Sequence, residues 1–137
     1  MIILLLLDII LYNTSPFKPF FFLIYLPFIT KKNIVTLIIT ALVLDLFIFD
    51  AFPINLVILI ALYYLNRFIF KRNTFLLFMI LCVINYLIYT FAIYLIFNYQ
   101  RIEILYYLRF ILESGWINII FYILGYNLLF KNIKFNG

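Results

Sequence analysis

Few side chains in this chain could do chemistry. Its 137 residues include no histidine, one cysteine, five acidic residues and ten basic ones. Asp45 and Asp50 form a carboxylate pair within Thr40-Ala-Leu-Val-Leu-Asp45-Leu-Phe-Ile-Phe-Asp50. On a helix, residues five apart point about 140° away from one another, so the pair does not converge on one proton or one metal. Arg109 and Glu113 stand at i,i+4, the spacing that puts opposite charges side by side on a helix. Cys82, between Leu81 and Val83, reads as a small apolar packing residue. No Ser/His/Asp set, nucleophile with a base, phosphate loop or metal-ligand spacing is visible. The chain is therefore not expected to be an enzyme. No catalytic residue, cofactor or metal is expected, and a lone cysteine excludes a disulfide within the chain.

The background of these residues decides their meaning. Residues 73–100, 28 in a row, carry no charge. Hydrophobic residues make up 69% of the chain and charged residues 11%. A soluble domain of this size has too much surface for its volume to hide so much apolar area. The expectation is an all-α, polytopic membrane protein forming one helical domain over residues 1–137. Alternating strands, the mark of a membrane barrel, are missing from the pattern. The net charge of +5 implies no nucleic-acid partner, because the basic residues sit at the ends of apolar runs. The richness in Phe, Tyr, Ile, Asn and Lys matches the drift of an AT-rich genome and is discounted as a functional clue.

Charged and proline-bearing breaks divide the chain into six segments, about Ile2–Tyr12, Pro19–Ile29, Asn33–Phe49, Pro53–Phe70, Asn73–Tyr99 and Ile104–Phe130. Pro19 suits a helix start, and Pro27 a kink or early end. The N-terminal run lacks a basic lead and a small-residue cleavage site, and Asp8 interrupts it, so it reads as a first helix that stays. The first two segments would each span about 17 Å as α-helix, short of a bilayer core of about 30 Å. They are partial spans, a re-entrant pair, or spans extended by neighbouring turn residues. With the N-terminus inside and six crossings, Lys31, Lys32, Arg67, Lys71, Arg72, Lys131 and Lys134 fall on the cytoplasmic side, against Lys18, Arg101 and Arg109 outside. That bias predicts cytoplasmic N- and C-termini and an even number of crossings.

In this frame Asp45 is the most informative residue. An acid inside a spanning segment costs free energy on insertion, so it either reaches the interface, buries as the neutral acid, or makes a polar contact inside the bundle. Thr40 and Ala41 beside it would let another helix approach closely. Arg109 lies at similar depth on the sixth segment and is the natural partner. Glu113 competes for Arg109, and a three-membered cluster is a further arrangement. Asn55, Asn85, Asn118 and Asn127 interrupt apolar runs, as residues that hydrogen-bond between membrane helices do. Trp116 and tyrosines near helix ends could anchor at the interface.

Taken in order, Pro19-Phe-Phe-Phe-Leu-Ile-Tyr-Leu, Lys31-Lys32, Ala41-Leu-Val-Leu-Asp45-Leu and Phe52-Pro-Ile-Asn55 resemble the MreD family of rod-shape-determining membrane proteins. Asp45 matches the family aspartate, Pro53-Ile54-Asn55 falls at its turn, and Arg109-Phe-Ile-Leu with Asn118 is similar to its last helix. Ala41 and Pro53 stand where the family prefers glycine, and the first helix is shorter than usual. The resemblance implies a non-catalytic subunit of the cell-elongation complex that supports peripheral wall synthesis. It would dock an MreC-like bitopic protein and, indirectly, MreB, RodA and the elongation transpeptidase. It further implies a fold similar to the substrate-binding subunits of energy-coupling-factor transporters. A vitamin-capturing subunit of that kind is the rival reading, although Leu4-Leu5-Leu6-Leu7-Asp8 lacks the small residues such a first helix uses for docking. The partner-binding residues expected are Asp45, Asp50, Pro53, Asn55, Arg109, Glu113 and Asn118.

Overall fold

The computed structural model describes residues 2–14, 20–29, 31–48, 53–72, 74–97, 101 and 103–130. These form helices, with no strand among them. The order is α1 (Ile2–Thr14), a 3₁₀ segment (Phe21–Phe28), α2 (Ile34–Val43) running on as a π-turn (Leu44–Ile48), α3 (Ile54–Ile69), α4 (Phe75–Phe97), and α5 (Ile104–Gly125), itself extended by a π-turn (Tyr126–Phe130). Each of the six expected segments becomes one helical element, with ends close to the expected breaks. Charged or proline-bearing stretches interrupt long apolar runs, and each helix stops where its apolar run stops.

Two helices, α4 with 23 residues and α5 with 22, are long and apolar enough to cross a membrane. At about 1.5 Å per residue each reaches about 33–35 Å, beyond a hydrocarbon core of about 30 Å. Helices α2 and α3 are shorter apolar helices.

The second segment is a 3₁₀ helix of eight residues, Phe21-Phe-Leu-Ile-Tyr-Leu-Pro-Phe28. Its rise of about 2.0 Å per residue gives it about 16 Å, half a bilayer core. Leu23, Ile24 and Leu26 are fully buried, and α1, α3, α4 and α5 all pack around it. Runs of 3₁₀ helix this long are uncommon because their hydrogen bonds are poorly aligned. Here the surrounding helices supply the missing partners. Gly125 of α5 makes room for it, since a Cβ there would collide with Ile24 Cδ1.

Polar side chains are set into an apolar core, and large apolar side chains cover much of the outside. Asp8, Thr40, Asp45, Asn55, Asn66, Asn85, Thr90, Ser114 and Asn118 are buried, while Leu105, Leu112, Phe68 and Leu128 are each about four-fifths exposed. Helix α5 makes the inversion plain. Its inner face includes Ser114, Gly115, Asn118, Tyr122 and Gly125, and its outer face is mostly leucine, isoleucine and tryptophan, with Arg109 and Glu113 among them. Water-soluble helices bury the opposite face.

Candidate functional site

Asp45 lies in the π-turn that ends the α2 segment and is completely buried. Its Oδ1 accepts the Asn55 backbone N–H at 2.7 Å and its Oδ2 that of Leu56 at 3.1 Å. These are first-turn donors of α3, which a helix cannot satisfy internally. The carboxylate thus caps α3 with both oxygens and meets the positive end of its dipole. Asp8 repeats the arrangement one hairpin earlier: its Oδ1 and Oδ2 accept the N–H groups of Phe21 and Phe22 at 3.0 and 2.9 Å, opening the 3₁₀ segment. In both cases an acid on one element clamps the start of the next.

A second set of bonds fastens α4 and α5 to this framework. The Tyr89 hydroxyl donates to Asn55 Oδ1 at 2.6 Å, so α2, α3 and α4 are joined through Asp45, Asn55 and Tyr89. About three turns along α3 from Asn55 and one along α4 from Tyr89, Asn66 and Asn85 exchange amide hydrogen bonds at 2.7 and 2.9 Å across the two helices. On α5, Asn118 Oδ1 accepts the Phe20 N–H at 2.7 Å, and the Tyr122 hydroxyl donates to the Phe20 carbonyl at 3.0 Å. The start of the 3₁₀ segment is therefore held from both flanks, by Asp8 on α1 and by Asn118 and Tyr122 on α5. The Phe20 and Phe22 rings meet Tyr89 edge-on, with centroids 5.6 and 5.8 Å away. These contacts fix irregular backbone in the buried interior, where its polar groups need partners.

The expected pairing of Asp45 with Arg109 does not form. Arg109 Nε donates to Glu113 Oε1 at 2.9 Å, and its side chain is 79% exposed on the outer face of α5. Asp45 is sealed inside with backbone partners. Backbone N–H groups at a helix start answer a carboxylate without burying a second charge, and that arrangement wins. Of the expected residues, Asp45 and Asn55 are brought into direct contact, as are Arg109 and Glu113. Pro53 stands exposed just before α3, and Asn118 sits on the inner face of α5. Asp50 lies outside the described residues. Asn55, Asn85 and Asn118 bond between elements as expected, whereas Asn127 donates to Ile123 of its own helix at 3.1 Å. Thr40 and Ala41 are fully buried, as small residues at a close helix approach should be.

Sequence reasoning missed Asp8, Asn66, Tyr89 and Tyr122 as framework residues. Asp8 carried a signal, an acid in an apolar run with no basic residue near it. The tyrosines carried none, since the chain has 12 of them.

Where α4 and α5 approach their connecting turn, Tyr94, Arg101, Glu103 and Tyr106 line an open recess of about 320 Å³. The Tyr94 hydroxyl donates to the Glu103 carbonyl at 2.9 Å and accepts the Glu103 N–H at 2.7 Å, and Arg101 pairs with Glu103 at 2.9 Å. No family model, curated protein or solved structure matches the chain.

Proposed function

We propose that this chain is a non-catalytic subunit of the bacterial cytoplasmic membrane that holds a single-span partner in place during cell elongation. One observation carries the reading. The buried polar side chains are used on the protein's own backbone and on one another, while large apolar side chains cover much of the outside. Both oxygens of Asp8 and of Asp45 accept backbone N–H groups. A carboxylate so engaged is a fastener and is poorly placed to carry protons or ions. An apolar exterior suits contact with lipid and with other membrane helices.

In this reading the chain crosses the membrane an even number of times and both termini face the cytoplasm. The buried 3₁₀ segment is a half-span shielded by its neighbours, the one setting in which irregular backbone is tolerated at membrane depth. The resemblance to MreD proteins and the related transporter-subunit fold belongs to the same proposal. The partner is MreC-like, docking near the outer loops around residues 50–53 and 99–107, with MreB, RodA and the elongation transpeptidase reached through it.

Depletion in the native host tests the proposal. Rounded or bulging cells, with the single-span partner dispersed, are expected. Normal shape with lost uptake of one small nutrient would overturn it in favour of the vitamin-transporter subunit. The recess lined by Tyr94, Arg101, Glu103 and Tyr106 is the observation that favours this second reading.

A further inference from the structure

Five basic residues converge at one end of the bundle, and packing brings them there. Asp45 meets the start of α3 at Asn55, so α2 and α3 run antiparallel. Eleven residues back from Asp45 is Ile34, the start of α2, and eleven on from Asn55 is Asn66, near the end of α3. Both therefore lie about 16 Å from that contact. Lys31 and Lys32, just before α2, stand level with Arg67 in the last turn of α3, and with Lys71 and Arg72 beyond it. The 3₁₀ segment ends at the same level. The Phe28 ring lies 5.3 Å from that of Phe70 and 5.6 Å from that of Phe78.

These cations have no answering charge nearby. Residues 9–44 and 51–102 contain no acid. Asp45 is engaged at the far end of α3, and Glu103 pairs with Arg101 beside Tyr94 at the far end of α4. Asp8 holds the start of the 3₁₀ segment, about 14 Å from its other end. Glu113, paired with Arg109, is about 20 Å along α5 from Tyr126, whose ring packs on Phe78. Each separation exceeds the screening length of about 8 Å. None of the five cations forms an ion pair among the described residues. Arg67 lies over the Tyr63 ring, 5.9 Å from its centroid. Lys31 and Lys32 precede the N-terminus of α2, and Lys71 and Arg72 that of α4, the positive ends of those dipoles, where an anion is favoured. The positive-inside rule sets the side of the membrane for each loop, but it does not require the two loops to meet.

The surroundings identify the anion. Exposed Val35, Tyr64, Phe68 and Leu76 each lie within four residues of one of these cations. A ligand with an anionic head and apolar tails covers both surfaces at once. An acidic peptide or a free phosphate would leave the apolar rim bare. We propose that this end of the bundle binds acidic phospholipids, with Lys31, Lys32, Lys71 and Arg72 on the headgroup phosphates and the apolar rim on the acyl chains. The proposal rests on the membrane reading above.

The test titrates the full chain in mild detergent with phosphatidylglycerol or phosphatidylcholine of equal chain length, and native mass spectrometry counts the lipids retained. Phosphatidylglycerol should be held more tightly, and less so at high salt. Each cation removed should weaken its retention about fivefold, so Lys31→Gln with Lys32→Gln, and Lys71→Gln with Arg72→Gln, should each cost about 25-fold. All four side chains belong to exposed residues, so thermal unfolding without lipid should match the parent chain. Lys31→Arg with Lys32→Arg should keep the binding. Arg101→Gln, 88% exposed at the opposite end, should leave it unchanged. Equal retention of the two lipids by the parent chain, an equal loss in Arg101→Gln, or no loss in the paired glutamine variants would overturn the headgroup site. So would inorganic phosphate or poly-glutamate competing, charge for charge, as well as phosphatidylglycerol. Equal retention of both lipids would leave the membrane reading standing. A chain that holds neither lipid and inserts into vesicles of neither would overturn both.

Discussion

Asp45 and Asn55 are joined twice over. The carboxylate of Asp45 takes the Asn55 backbone N–H at 2.7 Å, and the Asn55 side chain, turned the other way, takes the Tyr89 hydroxyl at 2.6 Å. One residue therefore passes the hold of α2 on α3 across to α4.

The first prediction concerns Asp45. Asp45→Asn replaces one accepting oxygen by an NH₂ group aimed at a backbone donor, leaving a buried N–H unmet. It should destabilise the protein by about 2–4 kcal/mol. Arg109→Leu should leave that effect unchanged, so the two should add within about 0.5 kcal/mol. Thermal unfolding in mild detergent measures both. A large coupling between them would mean that Asp45 answers Arg109 after all.

Asp8 should behave like Asp45. Asp8→Asn removes one acceptor at the start of the 3₁₀ segment and should cost a similar amount. Hydrogen exchange should quicken at Phe21 and Phe22, and the α3–α4 contact between Asn66 and Asn85 should keep its protection.

Two tyrosines three residues apart make an internal comparison. Tyr89→Phe strips Asn55 of a buried partner and should cost about 0.6–2 kcal/mol. The Tyr86 hydroxyl is buried with no hydrogen-bond partner, so Tyr86→Phe should be neutral or stabilising. Equal losses in the two variants would contradict the bonding described.

Gly125 and Ile24 provide a packing test. Gly125→Ala puts a methyl where Ile24 Cδ1 sits, in a fully buried site, and should cost about 1–3 kcal/mol. Ile24→Val removes that carbon, so the double variant should lose less than the two single variants together. At Gly115 a Cβ would meet its nearest neighbours at 3.7 Å, ordinary contact, so Gly115→Ala should be mild.

Orientation is tested by labelling single cysteines in intact cells with a membrane-impermeant reagent. Lys32→Cys and Arg72→Cys should be protected, and Arg101→Cys should react. The reverse pattern would invert the proposed topology.

The sequence alone was enough to determine the helical class and the bounds of the elements. Long apolar runs and short charged breaks are local signals, and the backbone's need to satisfy itself does the rest. The ends of α3 at Ile54 and Ile69 and of α4 at Phe75 and Phe97 lie within two residues of the expected breaks. The sequence also marked Asp45, Asn55 and Asn118 as polar groups needing partners. Which partners they took was decided by tertiary structure. In α4 apolar residues run all round, so no periodic stripe tells which face turns inward, and the choice depends on packing against neighbours far along the chain. Phe20 and Asn118 are 98 residues apart and meet only in the folded bundle. The 3₁₀ form of Phe21–Phe28 has the same origin. Its geometry is a poor one in isolation, and it persists because Asp8, Asn118 and Tyr122, on two other helices, supply the hydrogen bonds at its start.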